Sequence, residues 1–317
     1  MTRPLGHSGV RVSPVALGTM SWPGCNYGQS GYVPSASELD ETVQMTAAAL
    51  DAGSTTFDTA EGYGLGLAET LLGRALEKLG RRNEAQIITK VGPLFGEERK
   101  GGRTCNLSAA HIIARCEKSL ARLQTDRIDL YLAHWPDAET PIEETLRAAT
   151  TLQEQGKIRA FGVSNFSIDQ MSGALRHGNI AANQLPYSLV DREIEADKQP
   201  FCVEQHIAIL AYSPLGKGVL SGKYRASHLP PDDDYRHQRK HFAAENLPRN
   251  FAIADKVRES AVLIGCSPSQ LALAWLLVQP GVAMVLPGAK SSAQAAANAM
   301  AANVKIPGEI LQQLEAL

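Results

Sequence analysis

The chain has 317 residues, of which 44% are hydrophobic and 20% are charged, so it can bury a large core. Its 31 Lys and Arg residues nearly balance its 33 Asp and Glu residues. This near-neutral charge supplies no general attraction for phosphate backbones or anionic lipid, and we therefore exclude nucleic acid as a partner.

The cysteines and the N-terminal segment indicate the compartment. Five cysteines are scattered along the chain, and none forms a CxxC pair or a His/Cys pair at the spacing of metal ligands. We interpret them as reduced thiols and predict no metal site. The N-terminal segment has no hydrophobic signal region, and no apolar run approaches the roughly 20 residues that cross a bilayer. We therefore expect a cytoplasmic protein that does not associate with membranes.

The predicted elements, in chain order, begin with a small hairpin in the Gly- and Ser-punctuated segment 5–12. Eight short apolar runs follow, each succeeded by a polar turn and a segment of helical periodicity, and this alternation is typical of a parallel sheet. The predicted strands are residues 15–20, 55–58, 86–90, 128–134, 159–163, 181–185, 207–212 and 282–286. Eight strand-helix units close into a barrel, so we predict an α/β fold, a single (β/α)8 TIM barrel with an N-terminal β-hairpin, forming one domain over residues 1–317.

Start signals precede the helical segments. Ser108 precedes an apolar stripe spaced i, i+4, i+8, i+11, formed by Ile112, Cys116, Leu120 and Leu123. A second helix is predicted to begin at Ser267, a plausible N-cap, with Pro268 as its first residue. The polar stretch 224–250 follows the seventh strand and predicts a long loop, and loops of that length are usually functional or mobile.

Four residues at predicted strand ends or in the adjoining loops have side chains capable of chemistry. Asp58 ends the second apolar run and Tyr63 lies in the loop after it, while Lys90 ends the third run and His134 ends the fourth. Reactive residues of such barrels lie where strands end and loops begin. Taken singly, Asp58 also fits a cap, and Tyr63 and His134 also fit structural packing. Lys90 is harder to explain in this way, because a lysine in an apolar strand must find a counter-charge or lose its proton.

Together the four groups form a proton-donating arrangement. A free tyrosine has a pKa near about 10, and we expect the ammonium of Lys90 to lower the pKa of Tyr63 by stabilising the phenolate. Asp58 would keep Lys90 charged and oriented. His134 would donate a hydrogen bond to a substrate carbonyl. The missing component is an electron donor.

Asp58, Tyr63, Lys90 and His134, in this order and with these neighbours, resemble the catalytic tetrad of the aldo-keto reductases. The resemblance covers essentially the whole chain and includes the nicotinamide-binding motifs at residues 162–166, 183–187, 212–216 and 287–290. It implies NADPH as the cofactor, with NADH as the lesser candidate. No Gly-x-Gly-x-x-Gly opens a helix after the first strand, and barrel reductases bind the dinucleotide without that motif.

The resemblance also assigns cofactor contacts. It implies that Ser164, Asn165 and Gln184 bind the nicotinamide carboxamide and that Tyr212 stacks on its ring. Lys290 would contact the 2'-phosphate, and Gln294 and Asn298 would lie on the same helical face toward the adenine. Many relatives carry an arginine at the position of Lys290. A lysine is a point charge without the bidentate fork of arginine, which leaves the strictness of NADPH preference open. The remaining predicted contacts are Gly288 and, over the pyrophosphate, Ser213, Pro214, Leu215, Gly216, Lys217 and Lys223.

The reaction and the pocket follow from the same comparison. Double-bond reductases of the family carry Glu at the position of His134, so the histidine favours carbonyl reduction of a small aldehyde or ketone. An apolar pocket is predicted to be walled by Trp22, Tyr27, Phe95 and Trp135. Specificity is expected to depend on the loops at residues 21–34, 91–106 and 224–250. The sequence does not identify the physiological substrate, and we expect a monomer without excluding a homo-oligomer.

Two other interpretations stay open at this point. Lys90 also fits the Schiff-base nucleophile of a barrel aldolase, although that function leaves the cofactor motifs without a purpose. The scaffold also fits a non-enzymatic NADPH-binding sensor or channel-associated subunit, because fold does not fix function.

Overall fold

The computed structural model describes residues 2–99, 102, 104–225, 227–231 and 233–317. The predicted loops at 91–106 and 224–250 therefore include positions 100, 101, 103, 226 and 232, which lie outside the described residues. Two short antiparallel strands, β1 (Arg3–Pro4) and β2 (Arg11–Val12), form the N-terminal hairpin. The predicted hairpin segment 5–12 covers its turn and its second strand, while the first strand begins earlier.

All eight predicted barrel strands are present and parallel. They are β3 (Ala16–Gly18), β4 (Thr56–Asp58), β5 (Gln86–Val91), β6 (Ile128–Ala133), β7 (Ile158–Ser164), β8 (Ala182–Pro186), β9 (Ala208–Tyr212) and β10 (Val282–Leu286). They pair in chain order from β3 to β10. Parallel bridges join Val15 to Val285 and Gly18 to Gly288, so the last strand region meets the first and the sheet closes into the predicted (β/α)8 barrel.

Ten α-helices surround or flank the strands in the described part of the chain. They are α1 (Ala36–Asp51), α2 (Leu67–Leu79), α3 (Ala109–Leu123), α4 (Ile142–Glu154), α5 (Ile168–Leu175), α6 (Lys198–Glu204), α7 (Leu247–Leu263), α8 (Pro268–Leu277), α9 (Ser292–Ala299) and α10 (Gly308–Glu315).

The predicted helix starts are confirmed. Ser108 and Ser267 occupy the N-cap positions of α3 and α8, and the predicted stripe of α3 is buried. Only one of the two serines caps with its side chain, since Ser267 forms a capping box with Gln270 whereas Ser108 makes no such bond. The predicted loop 224–250 extends too far, because α7 begins at Leu247 with a proline in its first turn, where proline is tolerated.

Side-chain alternation along the strands separates two cores and determines which side chains face the barrel axis. Ile88, Leu130 and Leu132 pack with Leu5 and Val12 of the hairpin in an inner cluster, so the hairpin contributes to the core enclosed by the strands. The intervening strand residues pack with the helices in an outer cluster. Successive side chains of a strand point to opposite faces, so a residue two positions after Ile88 also faces inward.

No single helix within the described ranges is long and apolar enough to span a membrane. The pair α7 and α8 satisfies the length and composition criterion together, but the two helices are bent by 96° relative to each other.

Candidate active site

Lys90 is the centre of the predicted catalytic group. It lies two residues after Ile88 on β5 and has 0% of its side chain exposed. Its Nζ donates hydrogen bonds to Asp58 Oδ1 at 2.8 Å, to Thr59 O at 2.7 Å and to Tyr63 Oη at 3.2 Å. An ammonium has three hydrogens, so this arrangement uses all of them. The phenol oxygen of Tyr63 accepts one, which leaves the phenol hydrogen available to another acceptor.

Asp58 is fixed on both carboxylate oxygens. Oδ1 accepts from Lys90, and Oδ2 accepts from Gln184 Nε2 at 2.8 Å. The residue is the last of β4, and its side chain is buried beside the ammonium. A buried charge is tolerated when it is paired and hydrogen-bonded, and here both conditions are met.

The expected lowering of the pKa of Tyr63 is wrong. Burial, reinforced by the negative charge of Asp58, raises the pKa of Tyr63 well above its ordinary value. Burial also lowers the pKa of Lys90, against the opposing effect of Asp58. Tyr63 therefore holds its proton firmly in this structure and is a phenol rather than a phenolate. The Lys90 ammonium is in contact with the phenol oxygen of Tyr63, where it would stabilise a negative charge.

His134 lies beside the phenol. Its ring centroid is 5.9 Å from that of Tyr63 and 5.5 Å from that of Tyr27. Burial and the nearby charge of Lys90 lower the pKa of His134 well below its ordinary value, so the imidazole is neutral. Among the described residues, its Nδ1 has no hydrogen-bond partner. A neutral imidazole has one N–H, so His134 can donate one hydrogen bond to a bound molecule.

Three of the four predicted pocket aromatics lie in a chain of ring contacts around His134. Tyr27 contacts Phe95 edge-to-face at 5.3 Å, and Trp135 stacks on His134 at 6.4 Å. The backbone of Tyr27 bridges that of Tyr63, so the loop after β3 is tied to the loop that carries the phenol. Trp22 differs, because it is 3% exposed and packs in the outer core. The role of Trp22 as a wall of the apolar pocket therefore stays a prediction.

The predicted nicotinamide residues form one hydrogen-bonded chain. Tyr212 Oη donates to Asn165 Oδ1 at 3.0 Å, and Asn165 Nδ2 donates to Ser164 Oγ at 2.9 Å. Ser164 Oγ donates to Gln184 O at 3.0 Å, and the side chain of Gln184 reaches Asp58 as described above. The structure therefore connects the ends of β7, β8 and β9 directly to the group around Lys90.

The segment after β9 has an unusual backbone. Ser213, Gly216, Lys217 and Gly218 all have positive φ values, between 52° and 107°. Burial lowers the pKa of Lys217, and two arginines from the predicted loop, Arg239 and Arg236, lower it further.

The other predicted residues of this segment lie alongside. Leu215 O accepts from the backbone N–H of Gly218 at 2.9 Å, Pro214 is buried, and Lys223 is exposed. Successive turns with positive φ values direct backbone N–H groups toward one concave surface, and such a surface favours the binding of anions.

Lys290 lies in the turn before α9 rather than on the helix. The helix begins at Ser292, with Ser291 as its N-cap. Gln294 Oε1 accepts from the backbone N–H of Lys290 at 2.9 Å, and Asn298 Nδ2 donates to Gly288 O at 3.2 Å. Gln294 and Asn298 lie four residues apart on α9, so the predicted common helical face is wrong only for Lys290, which precedes the helix. The two amides shape the turn that presents an exposed lysine at a helix N-terminus.

Two residues near these groups were missed by the sequence analysis. Glu61 is a buried carboxylate in the loop between Asp58 and Tyr63, and Arg236 Nε donates to Lys217 O at 3.0 Å. An acidic residue within a strand-end loop was the only signal for Glu61. Arg236 gave no signal, because its contact depends on how the long loop returns to β9.

A sequence model of the Aldo/keto reductase family matches residues 14–317. The chain therefore belongs to this family of oxidoreductases, and the resemblance seen in its motifs is confirmed.

Three relatives illustrate the likeness. The chain is 35% identical to the aldo-keto reductase YhdN of Bacillus subtilis over 291 residues, which cover 92% of this chain and 85% of the relative. It is similar to the glycerol dehydrogenase AKR11B4 from Gluconobacter oxydans, with a TM-score of 0.88, 33% identity and coverage of 99% and 94% of the two chains. An aldo/keto reductase from Klebsiella pneumoniae in complex with NADP and acetate gives a TM-score of 0.75, with 30% identity and coverage of 99% and 94%.

Proposed function

We propose that this protein is an NADPH-dependent reductase of small aldehydes or ketones, of the NADP-linked alcohol dehydrogenase type, with Tyr63 as the general acid. One observation carries the proposal. All three hydrogens of the Lys90 ammonium are used by Asp58, Thr59 and Tyr63, so the phenol oxygen is an acceptor and its own proton is available to a substrate. The same observation weighs against a Schiff-base aldolase, because a nucleophilic lysine needs a free lone pair.

The residues present fit a nicotinamide dinucleotide. The chain of Ser164, Asn165, Gln184 and Tyr212 offers amide and hydroxyl groups for a carboxamide and an aromatic ring for stacking. The positive-φ segment from Ser213 to Gly218, with Lys217, suits a pyrophosphate, and Lys290 before α9 suits the 2'-phosphate. The Klebsiella relative in complex with NADP supports the same assignment. When bound, NADPH supplies a hydride.

The protein's own groups then manage the proton. Tyr63 donates its hydrogen to the carbonyl oxygen as that oxygen becomes an alkoxide, and the resulting phenolate is stabilised by Lys90 Nζ, 3.2 Å away. Asp58 and Gln184 hold the ammonium in place. His134, as a neutral imidazole, donates a hydrogen bond that orients the carbonyl.

The substrate is a small carbonyl compound with an apolar or compact body. Tyr27, Phe95 and Trp135 supply an aromatic wall beside His134. We also propose a single cytoplasmic domain that acts as a monomer, with one supporting observation for the compartment, namely that all five cysteines are free thiols.

An absorbance assay at the nicotinamide band tests this function. The wild-type protein is mixed with NADPH or NADH and with a panel of aldehydes, ketones and sugars, including glyceraldehyde because of the glycerol dehydrogenase relative. We expect carbonyl-dependent oxidation that is faster with NADPH. Tight NADPH binding without oxidation across the whole panel would instead favour the sensor interpretation.

A further inference from the structure

Glu61 joins the two chain segments that carry Tyr63 and Lys90. Its backbone N–H donates to Lys90 O at 3.4 Å, and its side-chain Oε1 accepts from the backbone N–H of Gly92 at 3.3 Å. The residue therefore contacts β5 through its backbone and the segment just after β5 through its carboxylate. It lies two positions before Tyr63 in the loop after β4.

The carboxylate is buried but incompletely satisfied. Glu61 is 6% exposed, and its Oε2 has no hydrogen-bond partner in the described part of the chain. Arg115 of α3 approaches that oxygen, with its Nε at 3.7 Å, and also pairs with Glu98. The distance between the two groups of this ion pair is longer than a hydrogen bond, so Arg115 attracts the carboxylate of Glu61 without holding it in one orientation.

Glu61 also has a route to solvent that avoids Lys90. It lines a cavity of about 290 Å³ together with Phe95, Arg115 and Arg122, and the cavity is bordered by the exposed residues Ser30 and Glu98. Phe95 of the cavity wall contacts Tyr27, whose ring contacts Tyr63 and His134, so a chain of ring contacts joins the cavity to the phenol. A proton can reach Glu61 from this side.

We propose that Glu61 is a positioning residue whose ionised carboxylate ties the loop of Tyr63 to the backbone beyond Lys90 and thereby maintains the 3.2 Å contact between Lys90 Nζ and Tyr63 Oη. This inference rests on the proposed function of those two residues. The physical basis is that a hydrogen bond from a backbone N–H to an ionised acceptor is roughly twice as strong as one between neutral groups.

The ionisation of Glu61 falls in the neutral range. Burial raises the pKa of Glu61 to about 7, with Arg115 opposing the shift and Glu69 of α2 adding to it. Arg122 of α3 also faces Glu61 and lowers its pKa. The negative charge of Glu61 in turn contributes to raising the pKa of Tyr131 of β6. Below this pKa the carboxyl is neutral and the tie is weak, and above it the tie is strong. Turnover is therefore expected to fall as the pH drops through about 7.

An isosteric and a truncating variant of Glu61 distinguish the hydrogen bond between its carboxylate and the N–H of Gly92 from a role of the side chain in packing alone. Glu61→Gln keeps an oxygen for the N–H of Gly92 but cannot ionise, so we expect the step in kcat near neutral pH to disappear. Glu61→Ala removes the acceptor and is expected to lower kcat about 10-fold above pH 7, the size of one lost hydrogen bond to a charged group, and by less below it, where the carboxyl is neutral in the wild type, with little change in KM. The readout is the pH profile of kcat between pH 5.5 and 9, set in steps of roughly half a unit around the predicted transition.

A charge-removal pair identifies the titrating group. Because Arg115 lowers the pKa of Glu61, Arg115→Leu is expected to move the step in kcat to higher pH, and it should do nothing to the profile of the Glu61→Gln protein. Arg147→Gln is the matched control, since it removes an exposed arginine from α4 and should leave the profile unchanged. A step that persists in Glu61→Gln would overturn the proposal.

A second readout does not depend on turnover. Amide hydrogen exchange of the segment 88–94, corrected for the intrinsic rate, should show greater protection at pH 8 than at pH 6 in the wild type and no difference in Glu61→Gln. Equal protection at both pH values in the wild type contradicts the tie even if the protein proves inactive with every carbonyl. An inactive wild type with the expected exchange pattern would refute the proposed function alone.

Discussion

A lysine with no exposed surface depends on its partners for its charge. Lys90 donates to a carboxylate, a carbonyl and a phenol, while the carboxylate of Asp58 receives a second hydrogen bond from Gln184. Coulombic attraction in such a buried pair roughly offsets the cost of removing both charges from water, so removing one partner is far more harmful than removing both.

This asymmetry gives a stability prediction. Lys90→Met leaves the Asp58 carboxylate buried with only Gln184 and is expected to lower the free energy of unfolding by about 3–5 kcal/mol. Adding Asp58→Asn should recover most of that loss, because no buried charge then lacks its partner. Urea unfolding at pH 7 measures both, and turnover is expected to stay low in each. A single variant as stable as the wild type would show that Asp58 does not depend on Lys90.

At the residue scale, the sequence identified side chains better than it identified their protonation. The order of Asp58, Tyr63, Lys90 and His134, each at or just after the end of an apolar run, was sufficient to predict the group. The sequence was not sufficient to predict the direction of the pKa shift of Tyr63, because that direction depends on complete burial and on the distance to Asp58, which no pattern of residues gives. The burial of Trp22 was not predictable for a similar reason, since a loop aromatic can pack against the core as easily as it can be exposed.

At the scale of elements, apolar runs and capping residues predicted the eight barrel strands and the starts of α3 and α8. Strand boundaries were accurate because each run is buried on both faces and ends in polar turn residues. The long loop was predicted less well, because its polar composition continues to residue 250, beyond the start of α7 at Leu247. The difference between the two capping serines has a sequence signal that was not used, since Gln270 stands three residues after Ser267, as in a capping box, whereas His111 stands three residues after Ser108.

The two serines provide a matched test. Ser267 Oγ accepts from the backbone N–H of Gln270 at 3.2 Å, whereas Ser108 makes no side-chain capping bond. Ser267→Ala is expected to lower the free energy of unfolding by about 1 kcal/mol, and Ser108→Ala by much less. Urea denaturation of the two variants side by side gives the comparison. Equal losses would mean that the capping bond of α8 contributes nothing to stability.

At the scale of the whole molecule, closure of the barrel assembles the site. Asp58, Lys90 and Gln184 lie on different strands, and only a closed parallel sheet brings β4, β5 and β8 within hydrogen-bonding reach of one another. The family match and the structural relatives agree with this architecture. The substrate is the part that sequence could not supply, because it depends on loop residues whose packing has no periodic signature.

We propose that the barrel presents the phenol of Tyr63 as a proton donor held by Lys90, and substitution of the phenol tests this role. Tyr63→Phe removes the hydroxyl while retaining the ring that packs beside His134. We predict that kcat falls by roughly 10²- to 10⁴-fold, the contribution of a general acid, while the Kd for NADPH measured by fluorescence titration stays nearly unchanged. A phenylalanine variant that reduces carbonyls at close to the wild-type rate would contradict it.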